Sequence, residues 1–450
     1  MKKLLVLLAI ICLASSWNFG WNFGWNFGLA QAPAAQSLVI TNGRILDGNG
    51  RVIERGSVVV RDGRIVSVSE GTATVPGAQQ LDAQGRTVMP GFIDGHRHVI
   101  QGDATQWLNE QARARMQDYL DAGFTTILSA GDSQQQILEL RRRLQQGEIP
   151  GPTLIVSGRV ALAGRGGAPA TPAPSGGAAR GAGAGGGRGD PARFDVARPP
   201  LRPTQAAPAI PDEQTRAAVQ ALKAAGVDAI KTGITVTPGG PEKATLTVVA
   251  QEARRLGIVT ITHAVTVEDT LAAVEAGVDV LVHTPHIGRL EESDAAVQKI
   301  ARSGIPMMST LAIFVPRFVG SDNVPQFRDL LPFPFDTLSS AGQGPVNARL
   351  LWEAGLTYGY GTDTSYRPVD SLAHELKPLS LVFSSRDIVR ILTRNAAVAV
   401  RRLDQIGTLE PGKLADITIV DGDPLADVNN VLKVAVVVKG GKIVVDKRQR

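Results

Sequence analysis

Six histidines are the residues of this chain best suited to chemistry: His96, His98, His263, His283, His286 and His374. Two of them lie one residue apart in "GFIDGHRHVI", residues 91 to 100, at the end of an apolar run. In a β-strand, residues i and i+2 point to the same face, so His96 and His98 would project side by side. The runs "IVTITH" (258 to 263) and "VDVLVH" (278 to 283) also end in histidine. A single histidine in such a place is more often a hydrogen-bonded structural group. Four at the ends of three strands point instead to a metal site. Two further run ends complete the set, for Lys231 closes "GVDAIK" and Asp363 closes "TYGYGTD". A protonated lysine has no lone pair to offer a cation. Converted by carbon dioxide into a carbamate, it would gain two anionic oxygens able to bridge two metals; otherwise Lys231 is a salt-bridged lysine beside the site.

The elements that must position these groups alternate along the chain. Apolar stretches at 125 to 130, 153 to 158, 227 to 232, 258 to 263, 278 to 283, 305 to 310 and 356 to 363, with the one ending at 94, give eight strands separated by helix-like segments. Three of those segments, "EQTRAAVQALKAAG", "TLTVVAQEARRLG" and "TVEDTLAAVEAG", end in glycine, a common helix stop. The expected fold is therefore α/β, a (β/α)8 barrel of the TIM type over 87 to 404, with its chemistry at the C-terminal ends of the strands. Residues 38 to 86 and 405 to 448 read as short strands and turns, including an Asp-Gly hairpin signal at 62 and 63. Both chain ends are expected to build one small β-sandwich. The Gly-, Ala- and Pro-rich stretch 162 to 210 has too little apolar surface to order itself and interrupts the barrel after its third strand. It reads as a disordered insertion, or as a lid that orders on substrate.

The remaining composition narrows the setting. Of 450 residues, 43% are hydrophobic and 20% charged, the balance of a soluble globular protein. Lys2 and Lys3 followed by "LLVLLAIICLA" (4 to 14) read as an export signal, so residues 1 to 32, with their threefold "WNFG", are expected to be removed. The mature chain would then be periplasmic or extracellular, with no stable membrane span. Cys12 is the only cysteine and lies in that signal, which leaves neither a disulfide nor a thiolate ligand. The net charge of +5 is too mild to argue for nucleic acid.

In chain order, "PGFIDGHRH", "AIK", "ITH", "VLVH" and "GTD" resemble the amidohydrolase superfamily of metal-dependent hydrolases. With "AHELKPL", "LTRNAAVAV" and "IGTLEPGKLADITIVDGDPLADV", the chain looks most like the branch near imidazolonepropionase and the prolidase-type dipeptidases. The resemblance implies that His96 and His98 bind a more buried metal, that His263 and His283 bind a more exposed one, that carboxylated Lys231 bridges them, and that Asp363 binds the buried metal. Zinc, two ions per chain, is the expected cofactor, with other divalent metals able to substitute. It further implies attack by a metal-bridging hydroxide, with Asp363 as general base and then acid.

The expected substrate is a small amide, a dipeptide or an N-acyl amino acid. His286 lies on the loop after the sixth strand and Tyr366 and Arg367 beside Asp363, so each could touch substrate; His374 resembles a recurrent histidine of this branch. Three alternatives stay open: a mononuclear deaminase or imidazolonepropionase-type hydrolase, a lactonase, and a non-catalytic binding protein on the same fold. Related barrels often form homo-oligomers.

Overall fold

The computed structural model describes residues 37–162, 206–314, 318–319, 324–325 and 335–448, with the side chains of 313–341 excepted. The signal, the WNFG repeat and nearly all of the Gly-rich insertion lie outside the described residues.

The chain begins with β1 (Ser37–Leu46), β2 (Val52–Arg61), β3 (Arg64–Glu70), β4 (Gln79–Asp82) and β5 (Thr87–Pro90). At the turn between β2 and β3, Asp62 and Gly63 have φ of 49° and 76°. Two successive positive φ values match the right-handed twist of the flanking strands, which is why Asp-Gly serves there. Eight barrel strands come next: β6 (Phe92–Arg97), β7 (Phe124–Ser129), β8 (Thr153–Arg159), β9 (Ala229–Gly233), β10 (Val259–His263), β11 (Val280–Val282), β12 (Met307–Met308) and, after the short hairpin β13 (Phe318–Val319) with β14 (Val324–Pro325), β15 (Tyr358–Gly359). The chain ends with β16 (Ile417–Val420), β17 (Val434–Lys439) and β18 (Lys442–Asp446).

Strands β6 to β12 and β15 form one parallel sheet in sequence order. Main-chain bonds join its two edges: Gly95 N donates to Tyr360 O at 2.9 Å, Asp363 N to His96 O at 2.8 Å and His98 N to Thr364 O at 3.2 Å. These bonds link the last strand back to the first, and the eight strands form a nearly closed barrel. Helices cover it, among them Asp212–Ala224, Glu242–Arg255 and Val267–Ala276. The last of these stops at Gly277, whose φ of 75° no β-branched residue would tolerate cheaply.

Both chain ends build the second sheet, in the order β18-β17-β16-β5-β1-β2-β3, with β4 also on β1. Its strands β5, β16 and β17 bury both faces. Val88, Ile417, Ile419, Val436 and Val438 pack into the sheet's own core, whereas Met89, Val420 and Val437 join the barrel core. Burial on two sides explains why "VAVVV" is a continuous apolar run rather than an alternating one. No helix among the described residues is long and apolar enough to cross a membrane.

The late barrel strands are shorter than the sequence suggests. Three non-glycine residues leave the extended region where those strands would continue: His283 at φ 139°, Thr310 at φ 41° and Asp363 at φ 51°. Such conformations cost an L-residue roughly 1–3 kcal/mol and persist where the surroundings over-determine them. All three belong to one site at the barrel's rim.

Candidate metal centre

The barrel brings six of the residues predicted from the sequence to one place. Asp363 Oδ1 lies 3.0 Å from His98 Nε2 and 3.3 Å from His96 Nε2, and its Oδ2 lies 3.6 Å from His283 Nε2. Lys231 Nζ is 3.2 Å from His96 Nε2. The His283 ring centroid stands 5.0 Å from that of His96 and 4.3 Å from that of His263. Among the described residues, His96, His98 and Asp363 form the one group whose ligand atoms already lie close enough together to share an ion.

The electrostatics suit cation binding. Burial, with Lys231 beside it, holds His96 well below the usual imidazole pKa, and burial with His263 does the same for His283. Both rings are therefore neutral and carry a lone pair. Asp363 is held well below the usual carboxylate range and so stays ionised, burial opposing the charge and the hydrogen bond from His98 at 3.0 Å favouring it. Burial also pulls the Lys231 amine down to about 7, against the pull of Asp363. His283 Nε2, the nitrogen that faces Asp363, is buried with no hydrogen-bond partner among the described residues. Unpartnered buried nitrogens are costly unless something else uses them. Neutral imidazoles facing an ionised carboxylate are the donor set of a divalent cation such as zinc.

Around this group stands a shell that the sequence did not reveal. His283 Nδ1 lies 2.8 Å from Thr310 Oγ1. If that hydroxyl accepts from Nδ1–H, the lone pair sits on Nε2, the nitrogen nearer Asp363. Thr310→Val is expected to weaken zinc binding about 10–100-fold, read by chelator competition, with the metal-free chain melting as before. Unchanged zinc retention would remove Thr310 from this role.

The Thr310 segment is itself pinned. Leu311 N and Ala312 N each donate to the Glu375 carboxyl at 2.8 Å, and His374 Nε2 lies 3.2 Å from Ala312 O. Burial pushes Glu375 from 4.5 up to about 8. Between those values the folded chain keeps a proton that the unfolded chain has lost, so stability falls as pH rises through the window, by up to about 1.4 kcal/mol per unit. Glu375→Gln is expected to flatten that slope in denaturant titrations run from pH 5 to 8. An equally steep fall in the variant would assign the slope to another group.

The residues expected to touch substrate each have neighbours of their own. His374 lies against the loop after β12, through its contact with Ala312. His286 is buried, and a Cβ added at Gly344 of helix Phe335–Glu353 would come within 2.3 Å of its ring, so that helix presses on the imidazole through a residue with no side chain. Tyr366 offers its main-chain carbonyl to Arg97. Arg367 is exposed and precedes the helix Pro368–Val382. A charged residue inside an apolar strand was the one signal that could have flagged Arg97; Thr310 carries none.

A protein-family model described as "Amidohydrolase family" matches residues 87–444. The chain belongs to the amidohydrolase family. Over most of its length this amidohydrolase is similar to the imidazolonepropionase of Symbiobacterium thermophilum, at 27% identity over 427 residues covering 88% of this chain and 91% of that protein. The N-acyl-D-aspartate deacylase of Alcaligenes xylosoxydans xylosoxydans matches at 34% over 124 residues, so the chain spans only 22% of that relative's length. In fold, this amidohydrolase is similar to a putative prolidase from Bifidobacterium longum, with TM-score 0.69, 24% identity and coverage of 91% and 94% of the two chains. Amidohydrolases are generally metal-dependent, and the cluster around Asp363 is where this one offers ligands.

Proposed function

We propose that this amidohydrolase uses two zinc ions, held by His96, His98, His263, His283, Asp363 and a carboxylated Lys231, to hydrolyse the C–N bond of a small amide, dipeptide or N-acyl amino acid. The observation that carries the reading is the convergence of His96, His98 and His283 on the two oxygens of one carboxylate, with Lys231 against His96. Metal bound there supplies Lewis acidity and makes water acidic enough to ionise near neutral pH. The chain does the rest. Asp363, ionised and within 3.0 Å of His98, takes the proton of the attacking water and returns it to the departing nitrogen. Lys231, buried and only partly protonated near pH 7, has a lone pair free to bond the carbon of carbon dioxide, losing a proton as the carbamate forms. His96 and His283 stay neutral, so they compete for neither proton. The exported location rests on Lys2, Lys3 and the apolar run after them; N-terminal sequencing of secreted protein checks it.

A second reading is favoured by the imidazolonepropionase match along 88% of the chain. One metal would then serve a cyclic C–N bond, and Lys231 would stay an amine. Metal counting separates the two. Protein purified without chelator and reloaded with zinc is expected to hold about two ions per chain and to turn over dipeptides or N-acyl amino acids. About one ion, with turnover of cyclic amides only, would replace the first reading by the second. A metal-loaded chain active only on lactones would sink both.

A further inference from the structure

Arg97 separates the two histidines of the "HRH" motif, yet it is neither a ligand nor a proton carrier. It is 1% exposed, and burying a guanidinium costs several kcal/mol unless its donors are filled. They are filled. Nε donates to Tyr119 Oη at 2.8 Å, Nη1 to Thr362 Oγ1 and to Thr364 Oγ1 at 3.0 Å each, and Nη2 to the main-chain oxygen of Tyr366. The guanidinium carbon stands 5.3 Å from the centre of the Tyr119 ring, and Asp94 Oδ2 lies 3.8 Å from Nη1, so the charge is balanced.

The acceptors bracket one residue. Thr362 and Thr364 are the immediate neighbours of Asp363, and Tyr366 lies two residues further on. Asp363 has a φ of 51°, which few non-glycine residues adopt without outside support. Its own amide is tied to His96 O at 2.8 Å, and Asp94 takes the Thr362 hydroxyl at 2.8 Å. The fork of Arg97 reaches both sides of Asp363 at once.

We propose that Arg97 is a positioning residue for Asp363: by clamping Thr362, Thr364 and Tyr366 it holds the left-handed backbone of Asp363 and aims that carboxylate at His96 and His98. The proposal rests on reading Asp363 as a metal ligand. A lysine in the same place keeps the charge but presents its donors from a single point, so it cannot span Tyr119 and both threonines.

The probe is zinc alone, titrated against a chelator on the full chain, with melting of the metal-free protein as the control for folding. Arg97→Lys is expected to weaken zinc about 10–100-fold in a chain that still folds but melts lower without metal, because buried acceptors lose their donor. Thr364→Val should weaken it several-fold, and Thr364→Ser, which keeps the hydroxyl, should restore it. Thr364 Oγ1 also meets Ser371 Oγ at 2.9 Å, so Ser371→Ala is the control and should bind zinc normally. Wild-type affinity in both Arg97→Lys and Thr364→Val overturns the proposal, as does a loss in Ser371→Ala equal to that in Thr364→Val. If Arg97→Lys fails to fold, the Thr364 pair decides. If the unaltered chain holds no zinc, the metal reading itself fails, and crystals of Thr364→Val then judge the clamp: a displaced Asp363 carboxylate supports it and an unmoved one overturns it.

Discussion

Asp363→Asn, loaded with excess zinc, is expected to keep its metal and lose turnover by roughly 10²–10⁴-fold. The amide oxygen of asparagine can still face His96 and His98, which now lie 3.3 and 3.0 Å from Asp363 Oδ1. What the amide cannot do is take a proton and give it back. The loss should therefore fall on kcat, with KM little changed, because proton transfer is needed in the transition state and not for binding. Metal content and kcat measured on the same preparation check this. A variant with full metal and near-normal kcat would hand the proton to another group; one that loses metal in step with activity would make Asp363 a ligand only.

Lys231→Met should be as damaging, for a different reason. Methionine fills the buried space but cannot form a carbamate, so the proposed bridge between two ions would be lost. Zinc should drop to about one ion per chain or fewer. Activity should drop by at least about 10²-fold, more than the loss of a group that merely supports a ligand would cost. Lys231→Ala leaves room for a small carboxylic acid, and millimolar formate or acetate is expected to restore part of both. Carbon-13 bicarbonate labelling of the unaltered chain gives the direct reading, a carbamate signal that Lys231→Met lacks. A Lys231→Met chain with two ions and full activity would leave Lys231 as no more than a neighbour of His96.

The site was legible in the sequence as far as strand periodicity carries. His96 with His98, Lys231, His263, His283 and Asp363 each terminate an apolar run, and a parallel barrel places all such ends on one rim. The small sheet was legible for a related reason, since turn signals and short apolar runs cluster at both chain ends. Strand lengths late in the barrel were not, because His283, Thr310 and Asp363 adopt backbone angles that residue type does not announce. Nor was the shell around the site. Arg97 meets Thr364 across 267 positions and His283 meets Thr310 across 27, and a threonine at such a spot looks like any other strand threonine. His374 was visible as a histidine; its place against Ala312 depends on where a loop goes, which no periodicity encodes.

The sheet built from both chain ends also sets a timetable for folding. Strand β5 pairs with β16, Pro90 opposite Ile417, yet roughly 330 residues separate them in the chain. At about 5–20 residues per second the ribosome needs roughly 16–65 s to deliver the partner. Over that interval Thr87–Pro90, buried at every position in the finished protein, has an unpaired apolar edge of the kind that recruits other chains. Pairings this distant also slow the search for the native state once the whole chain is free. A nascent or truncated chain that stops short of Ile417 is therefore not a smaller stable protein but one with an open seam.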